Sequence, residues 1–367
     1  MNKERYIGIM SGTSLDGVDV VLCEIDSSTC TLISSLEYPM PQELKSDILT
    51  MIQGKTTLEE VGQIDHRLGL LFTQAVGALL IRENIDASSI TAIGSHGQTL
   101  WHAPYGGYPF SMQLGDANII TAKTGIPVVA DFRRKDVALG GQGAPFAPAF
   151  HEFIFSNINA SVSIVNIGGM ANITVLSKTV NDKLIGYDTG CGNVLLDMWI
   201  HKHQNEAYDK DGAWAKYGKV DYTLLDAMMA DDYFSEPYPK STGREKFNEA
   251  WLDGMLTRRG SAVCSAILLE DVQRTLVELT AFSISNEVLK FSTDVALLCG
   301  GGAKNSFLVE RIKALMPNVE VAIAQNADEI EAMTFAWLAY KRIHKEKVNL
   351  KDVTGASDNT ILGGLYE

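Results

Sequence analysis

The stretch Ile7-Gly-Ile-Met-Ser-Gly-Thr-Ser-Leu-Asp-Gly-Val-Asp-Val-Val-Leu-Cys-Glu-Ile-Asp26 sets two β-rich runs, Tyr6–Met10 and Val18–Ile25, around a turn of small and hydroxylated residues, Ser11–Gly17. Such a turn can aim backbone N–H groups and the hydroxyls of Ser11, Thr13 and Ser14 at one point. Clustered amides of this kind hold an anion without a cationic side chain. Read alone, the segment is equally an ordinary hairpin. The chain repeats the device, however. Ser161–Ile167 and Ile173–Leu176 flank Gly168-Gly169-Met170-Ala171-Asn172, and Tyr187-Asp188-Thr189-Gly190-Cys191-Gly192-Asn193 reads as another glycine turn ahead of a helical pattern.

Outward from these turns, strand-like and helix-like segments alternate, which points to an α/β architecture. Leu58–Asn84 has apolar residues at helical spacing, and a short strand, Ile90–Gly94, delivers Ser95-His96-Gly97-Gln98-Thr99. A helix is predicted near Asp116–Thr124, and Ile126–Ala130 reads as a buried strand. Thr242 with Glu245 three residues on has capping-box spacing and predicts a helix start. Long helices are expected within Gly260–Lys290 and over Asp328–His344, and Asp294–Cys299 reads as a strand ending in Gly300-Gly301-Gly302. Two similar halves, each opening on a hairpin with a glycine turn, could clamp the phosphates of a nucleotide between them. Gly300–Gly302 would let the backbone approach a flat adenine or ribose, because no Cβ intrudes.

At 367 residues the length suggests about two domains. The Gly- and Pro-dense stretch Ala138–Pro148 places their boundary near residues 130–150. The division adopted is 1–135 for an N-terminal α/β domain and 136–367 for a C-terminal one, whose final segment can pack back on the first. The net charge of −14, with no basic run to offset it, argues against nucleic acid as a partner. No apolar run reaches the roughly 18 residues that span a bilayer, and Met1–Arg5 lacks signal-peptide features, so no membrane partner is expected. Five cysteines without CxxC spacing fit a reducing, cytoplasmic setting rather than a disulfide framework or zinc site.

Better-known phosphate motifs fail. Gly54-Lys55-Thr56 ends like a Walker A loop but has Leu49 where the first glycine belongs, and Gly190-Cys191-Gly192 meets Leu195 where GxGxxG needs glycine. A longer set of motifs does converge: 9–19 (IMSGTSLDGVD), 95–99 (SHGQT), 131–133 (DFR), 140–145 (GGQGAP), 166–172 (NIGGMAN), 188–193 (DTGCGN), 240–245 (KSTGRE) and 299–305 (CGGGAKN). In order, along nearly the whole chain, this set resembles the anhydro-N-acetylmuramic acid kinase family of the sugar kinase/Hsp70/actin superfamily.

The resemblance implies a two-domain actin-like ATPase (ribonuclease H-like) fold with a nucleotide cleft between the domains. It implies ATP- and Mg²⁺-dependent conversion of a small sugar substrate, 1,6-anhydro-N-acetylmuramic acid, with water, to N-acetylmuramic acid 6-phosphate and ADP, in peptidoglycan recycling in the bacterial cytoplasm. A homodimer is expected on the same ground. By the same resemblance Gly12, Thr13, Ser14, Leu15, Asp16, Gly17, Val18 and Asp19 form the ATP-binding segment. Gly168, Gly169 and Asn172 belong to the second phosphate loop, and Gly300, Gly301, Gly302 and Asn305 lie beside the adenosine. Asp188 is the general base, and Glu331 helps orient sugar and water. Ser95, His96, Gln98 and Arg133 face the sugar. Cys191 departs from the proline expected there in many relatives.

Blander roles compete with these. Asp188 could cap the following helix, and Glu331 sits in a first helical turn, where the dipole favours a carboxylate anyway. His96 could be a structural histidine, and Arg133 with Arg134 could form only a surface ion pair. Asp16 and Asp19 could bind Mg²⁺ through water or brace the turn, so no metal ligand is assigned. Two functional rivals stand beside the main reading. One is a kinase for an ordinary hexose or amino sugar without hydrolysis, and the other an actin- or Hsp70-like ATP-driven binding protein.

Overall fold

A computed structural model describes residues 3–12, 15, 17–176, 184–262 and 266–367. Thr13, Ser14 and Asp16 of the first glycine turn lie outside the described residues. The chain forms two compact units, Met1–Ile154 with Glu329–Glu367, and Phe155–Asp328.

The first unit holds a seven-stranded sheet. Strands β1 (Glu4–Ser11), β2 (Gly17–Ile25) and β3 (Cys30–Pro39) form an antiparallel meander. β4 (Ala92–Ala103) runs parallel to β1 on its other side, and β6 (Val128–Ala130) parallel to β4. β5 (Phe110–Leu114) is an antiparallel extension of β4, and β12 (Gly364–Tyr366) closes the edge against β6. Helix Leu58–Glu83 opens on a full capping box at Thr57 and Glu60 and buries Leu68, Phe72, Val76 and Leu79 in the core of this unit. By length and composition it could cross a membrane, but half of its apolar window is buried inside the fold.

The second unit repeats the path in five strands. β7 (Val162–Ile167), β8 (Met170–Leu176) and β9 (Ile185–Cys191) make the antiparallel meander. β10 (Val295–Cys299) lies parallel to β7 and β11 (Glu320–Ile323) parallel to β10. Each unit is therefore a three-stranded meander extended by parallel strands, which is the ribonuclease H-like topology twice over.

The units divide at Ile154/Phe155 and again at Asp328/Glu329, rather than at 135/136. Two contacts cause this. β12 completes the first sheet, and helix Ile330–Ile343 packs on β1 and β4 through the register pair Gly8 and Gly94. A Cβ at Gly8 would stand 2.0 Å from the Ala332 carbonyl oxygen, and one at Gly94 1.9 Å from that of Phe335. Only glycine lets the helix backbone approach this closely.

Two local expectations change. Residues 187–191 continue β9 rather than turning, so Asp188 is a strand residue and the helix Val194–Gln204 begins after Asn193. The helix expected at Thr242 begins at Glu249, because the Thr242 amide is drawn to Asp188 instead. The long helix expected within Gly260–Lys290 is Leu269–Leu289.

Candidate active site

In the second unit, the carboxyl ends of β7, β9 and β10 bring three glycine segments together. Gly168 and Gly169 form the β7–β8 turn, while Met170 and Asn172 already belong to β8. The amides of Gly192, Asn193 and Val194 donate to the carbonyls of Gly169, Gly168 and Gly169 at 2.9, 2.8 and 3.1 Å. Gly192 is required for this stitch, since its Cβ would stand 2.3 Å from the Gly168 oxygen. Gly300 has φ +77°, and a Cβ on Gly302 would meet Ile167 Cγ2 at 2.3 Å, so the turn after β10 lies directly against the end of β7. Asn305 is spent on the fold: its side chain accepts from the Leu308 amide and caps helix Ser306–Leu315.

Asp188 lies beside these turns, paired in register with Asn172. Its Oδ2 accepts from the Thr242 amide at 2.9 Å and from Ser241 Oγ at 3.0 Å. Among the described residues nothing hydrogen-bonds Oδ1. Burial raises Asp188 above the ordinary aspartate value, the Thr242 and Ser241 bonds oppose this, and the Glu245 charge adds to it. One oxygen is thus fixed and the other left to accept a proton, in a setting that makes the carboxylate a better base. Ser241 and Thr242 lie in the 240–245 motif but carry no site role in the sequence, where Thr242 reads as a helix cap.

In the first unit, Ser11 at the end of β1 donates a buried 2.6 Å hydrogen bond to Gln98 Oε1 on β4. On the same strand His96 is buried, its ring 4.7 Å from that of Phe335. Arg133 reaches it from the helix after β6: Nη2 and Nε lie 2.8 and 3.1 Å from His96 Nε2, and Nη1 donates to the Gly143 carbonyl at 2.6 Å. The ion pair expected as an alternative does form, but at Arg134 with Asp131. Burial lowers Arg133 to about 10, with the charges of Glu331 and Asp136 opposing it. Glu331 occupies the exposed first turn of helix Ile330–Ile343.

A polar pocket of about 160 Å³ opens at the carboxyl ends of β5 and β6, beside Ser95 and His96 within β4, and is lined also by Asp65, Asp116, Asp131 and Arg134. Crevices at such strand ends are where open α/β sheets bind ligands. Among the described residues Ser95 Oγ and His96 Nδ1 are buried with no hydrogen-bond partner, as befits groups that wait for one. Burial raises Asp65 above the usual carboxylate range, the Gly115 amide bond opposing this and the Asp116 charge adding to it. Asp65, Asp116 and Arg134 carry no sequence signal as site residues; only the meeting of the helix Leu58–Glu83 with the β5 end gathers them. Of the first glycine turn, Leu15 is buried at φ +56° and donates to the Gly12 carbonyl at 3.2 Å, while Gly17, Val18 and Asp19 begin β2.

Two ribonuclease H-like units, one with stitched glycine turns beside a half-buried aspartate and one with a polar pocket at its strand ends, define a two-domain sugar kinase of the actin-like ATPase class. A model of the family described as anhydro-N-acetylmuramic acid kinase matches residues 4–367. The chain belongs to that family and is a phosphotransferase. It is 68% identical over 366 residues to the anhydro-N-acetylmuramic acid kinase of Sulfurovum sp., covering all of both chains. It is 51% identical over 371 residues to the protein of that name from Aliivibrio fischeri, covering 99% of each. A solved structure, the activator of 2-hydroxyisocaproyl-CoA dehydratase from Clostridium difficile with bound ADPNP, superposes at a TM-score of 0.47 with 12% identity, covering 93% of this chain and 96% of that one.

Proposed function

We propose that the enzyme uses ATP to phosphorylate O6 of 1,6-anhydro-N-acetylmuramic acid while water opens the anhydro bridge, giving N-acetylmuramic acid 6-phosphate and ADP. The observation that carries the reading is the Asp188 carboxylate, with Oδ2 held by Ser241 and Thr242 and Oδ1 unengaged. Oδ1 takes a proton from water as its oxygen attacks C1. The C1–O6 bond breaks, and O6 accepts the γ-phosphoryl group. A positioned base contributes ~10²–10⁴-fold to such a step. Holding water, sugar and phosphate in line removes much of the remaining entropic barrier.

The sugar's hydroxyls and lactyl carboxylate suit the polar pocket of the first unit: Asp65 and Asp116 accept from hydroxyls, Ser95 and His96 Nδ1 donate, and Arg134 meets the carboxylate. Gln98, Arg133 and Glu331 support that wall. In the second unit Gly168, Gly169 and Asn172 face the phosphates, with Gly300–Gly302 beside adenosine; Gly12–Asp19 is the matching segment of the first unit. Among the described residues no three His, Cys, Asp or Glu side chains form a metal cage. Mg²⁺ binds through substrate phosphates, waters and only one or two carboxylates, for which Asp16 and Asp19 are the candidates. When bound it neutralises charge on the transferring phosphoryl group. ATP is a cytoplasmic metabolite, so the reading carries a cytoplasmic location.

The test is mass spectrometry of the product formed from Mg-ATP and the anhydro sugar in ¹⁸O-water, with immediate borohydride reduction to stop anomeric exchange. The expected product carries a phosphate and one label on C1. A phosphorylated sugar with the anhydro bridge intact, or unlabelled at C1, would favour a simple sugar kinase.

A further inference from the structure

Beneath Asp188 lies a charge pair that the proposed chemistry does not use. Lys240 and Glu287 face each other at 2.8 Å with 2% and 4% of their side chains exposed. Burying two opposite charges is seldom favourable for stability: apolar side chains of similar volume in such places are often neutral or stabilising. Its bonds instead lead to one residue.

Lys240 Nζ also donates to the Tyr233 carbonyl at 3.0 Å and stands 4.7 Å from the centroid of the Tyr233 ring. The Tyr233 hydroxyl donates to the Asp188 carbonyl at 2.7 Å. The Asp188 amide donates to the Lys240 carbonyl at 3.0 Å, and the next two residues, Ser241 and Thr242, supply both hydrogen bonds to Oδ2. Glu287 accepts from the hydroxyl of Tyr187, the neighbour of Asp188 on β9, at 2.9 Å, and pairs with Lys290 at 2.6 Å. Burial would raise Glu287, but the bonds from Lys240, Lys290 and Tyr187 hold it below the usual glutamate value.

We infer that Lys240 and Glu287 are positioning residues for the base: their buried pair anchors segment 240–242 and Tyr233, which fix the backbone and Oδ2 of Asp188 and so aim Oδ1. The Lys240 side chain points away into the pair while its backbone and successors grip the carboxylate, so a shift at the anchor is transmitted over two residues. A displacement on the order of 1 Å at a reacting group costs ~10²-fold.

The inference rests on Asp188 being the base, and the experiment separates the two. In the full-length double variant K240M/E287L the charges leave together and the volume is roughly kept. The expected result is a Tm within a few degrees of wild type, unchanged KM for ATP and sugar, and kcat reduced ~10²-fold. A kcat within threefold of wild type at normal Tm overturns the inference, because the pair would then be structural only. If the double variant does not fold, E287Q decides, since it keeps shape and removes only the charge. Normal kcat at normal Tm in E287Q likewise overturns the inference, and a kcat loss at unchanged KM upholds it. In E287Q both Lys240 and Lys290 lose their carboxylate partner, and the uncompensated positive charge favours the Asp188 anion, so the acid limb of kcat moves to lower pH; a merely structural defect leaves it in place. Full activity of D188N would sink the base assignment itself, whereas an inactive D188N beside an active K240M/E287L sinks only the positioning role.

Discussion

Arg133 fixes the tautomer of His96. A guanidinium has no acceptor, so the 2.8 and 3.1 Å contacts from Nη2 and Nε require the lone pair on His96 Nε2 and put the ring proton on Nδ1. That Nδ1–H is buried and unpaired among the described residues, on a side chain that lines the pocket with Ser95. Burial, reinforced by the Arg133 charge, holds His96 well below the ordinary histidine value, with only the Gly97 backbone acting against it. Long-range ¹H–¹⁵N spectra are expected to show a neutral His96 with protonated Nδ1 from pH 5.5 to 8. A doubly protonated ring at pH 6 would remove the Arg133 contact.

The same neutrality has a cost on acidification. His151, buried, is lowered to about 3, so between that value and about 6.5 the unfolded chain binds a proton that the native one does not. Stability therefore falls as pH falls through this window, by up to about 1.4 kcal/mol per unit for one histidine. Asp197, raised to about 6 by burial, works in the opposite direction, so a difference measurement is needed. Urea unfolding of wild type and H151N at pH 7 and pH 5 is expected to show wild type losing ground to the variant as pH drops. A constant difference would mean that His151 takes up a proton in the native state.

Gly8 and Gly94 seat the helix that brings Glu331 to the first unit. G8A and G94A each force a Cβ to within about 2 Å of a helix carbonyl, and are expected to cost at least about 3 kcal/mol. Gly77, in the middle of helix Leu58–Glu83, has no atom within 4 Å of an added Cβ, and G77A should stabilise by ~0.5–1 kcal/mol. Chemical denaturation of the three variants checks the contrast. Equal effects would mean that the helix shifts freely.

On the proposed base role Asp188 serves only when ionised, so activity is expected to rise with pH as this carboxyl, raised by burial, loses its proton. D188N is expected to lose ~10²–10⁴-fold in kcat with ATP affinity nearly intact. S241A removes one hydrogen bond from the anion and so moves the acid limb of kcat/KM to higher pH. An unmoved limb in S241A would assign that limb to another group.

Arg134 is the cation on the pocket wall. R134M is expected to raise the sugar KM ~10-fold or more, the scale of a lost charged hydrogen bond, without changing the KM for ATP. Isothermal titration with the anhydro sugar alone reads the same loss. Unchanged sugar affinity would move the lactyl carboxylate away from this pocket.

The local periodicities were legible in the chain itself. β1 and β2, helix Leu58–Glu83 and strand β10 all lie where β-rich runs and helical spacing put them, because these signals act over a few neighbouring residues. The Gly168–Asn172 motif was legible for the same reason and falls at the β7–β8 turn, whereas the turn read at Tyr187–Asn193 is the end of β9. What the sequence could not decide is anything settled by contact at long range. Thr242 with Glu245 satisfies the helix-start pattern, yet the Thr242 amide goes to a carboxylate 54 residues away. The final helix belongs to the first unit because two glycines on distant strands admit its backbone. Asp65, Asp116 and Arg134 share a pocket, and Lys240 meets Glu287, only after the sheets are assembled. The amino-acid order by itself determined the elements, the duplicated glycine turns and the family. Tertiary structure decided which polar groups satisfy one another once water is excluded, because an unpaired buried group is costly enough to override local preference.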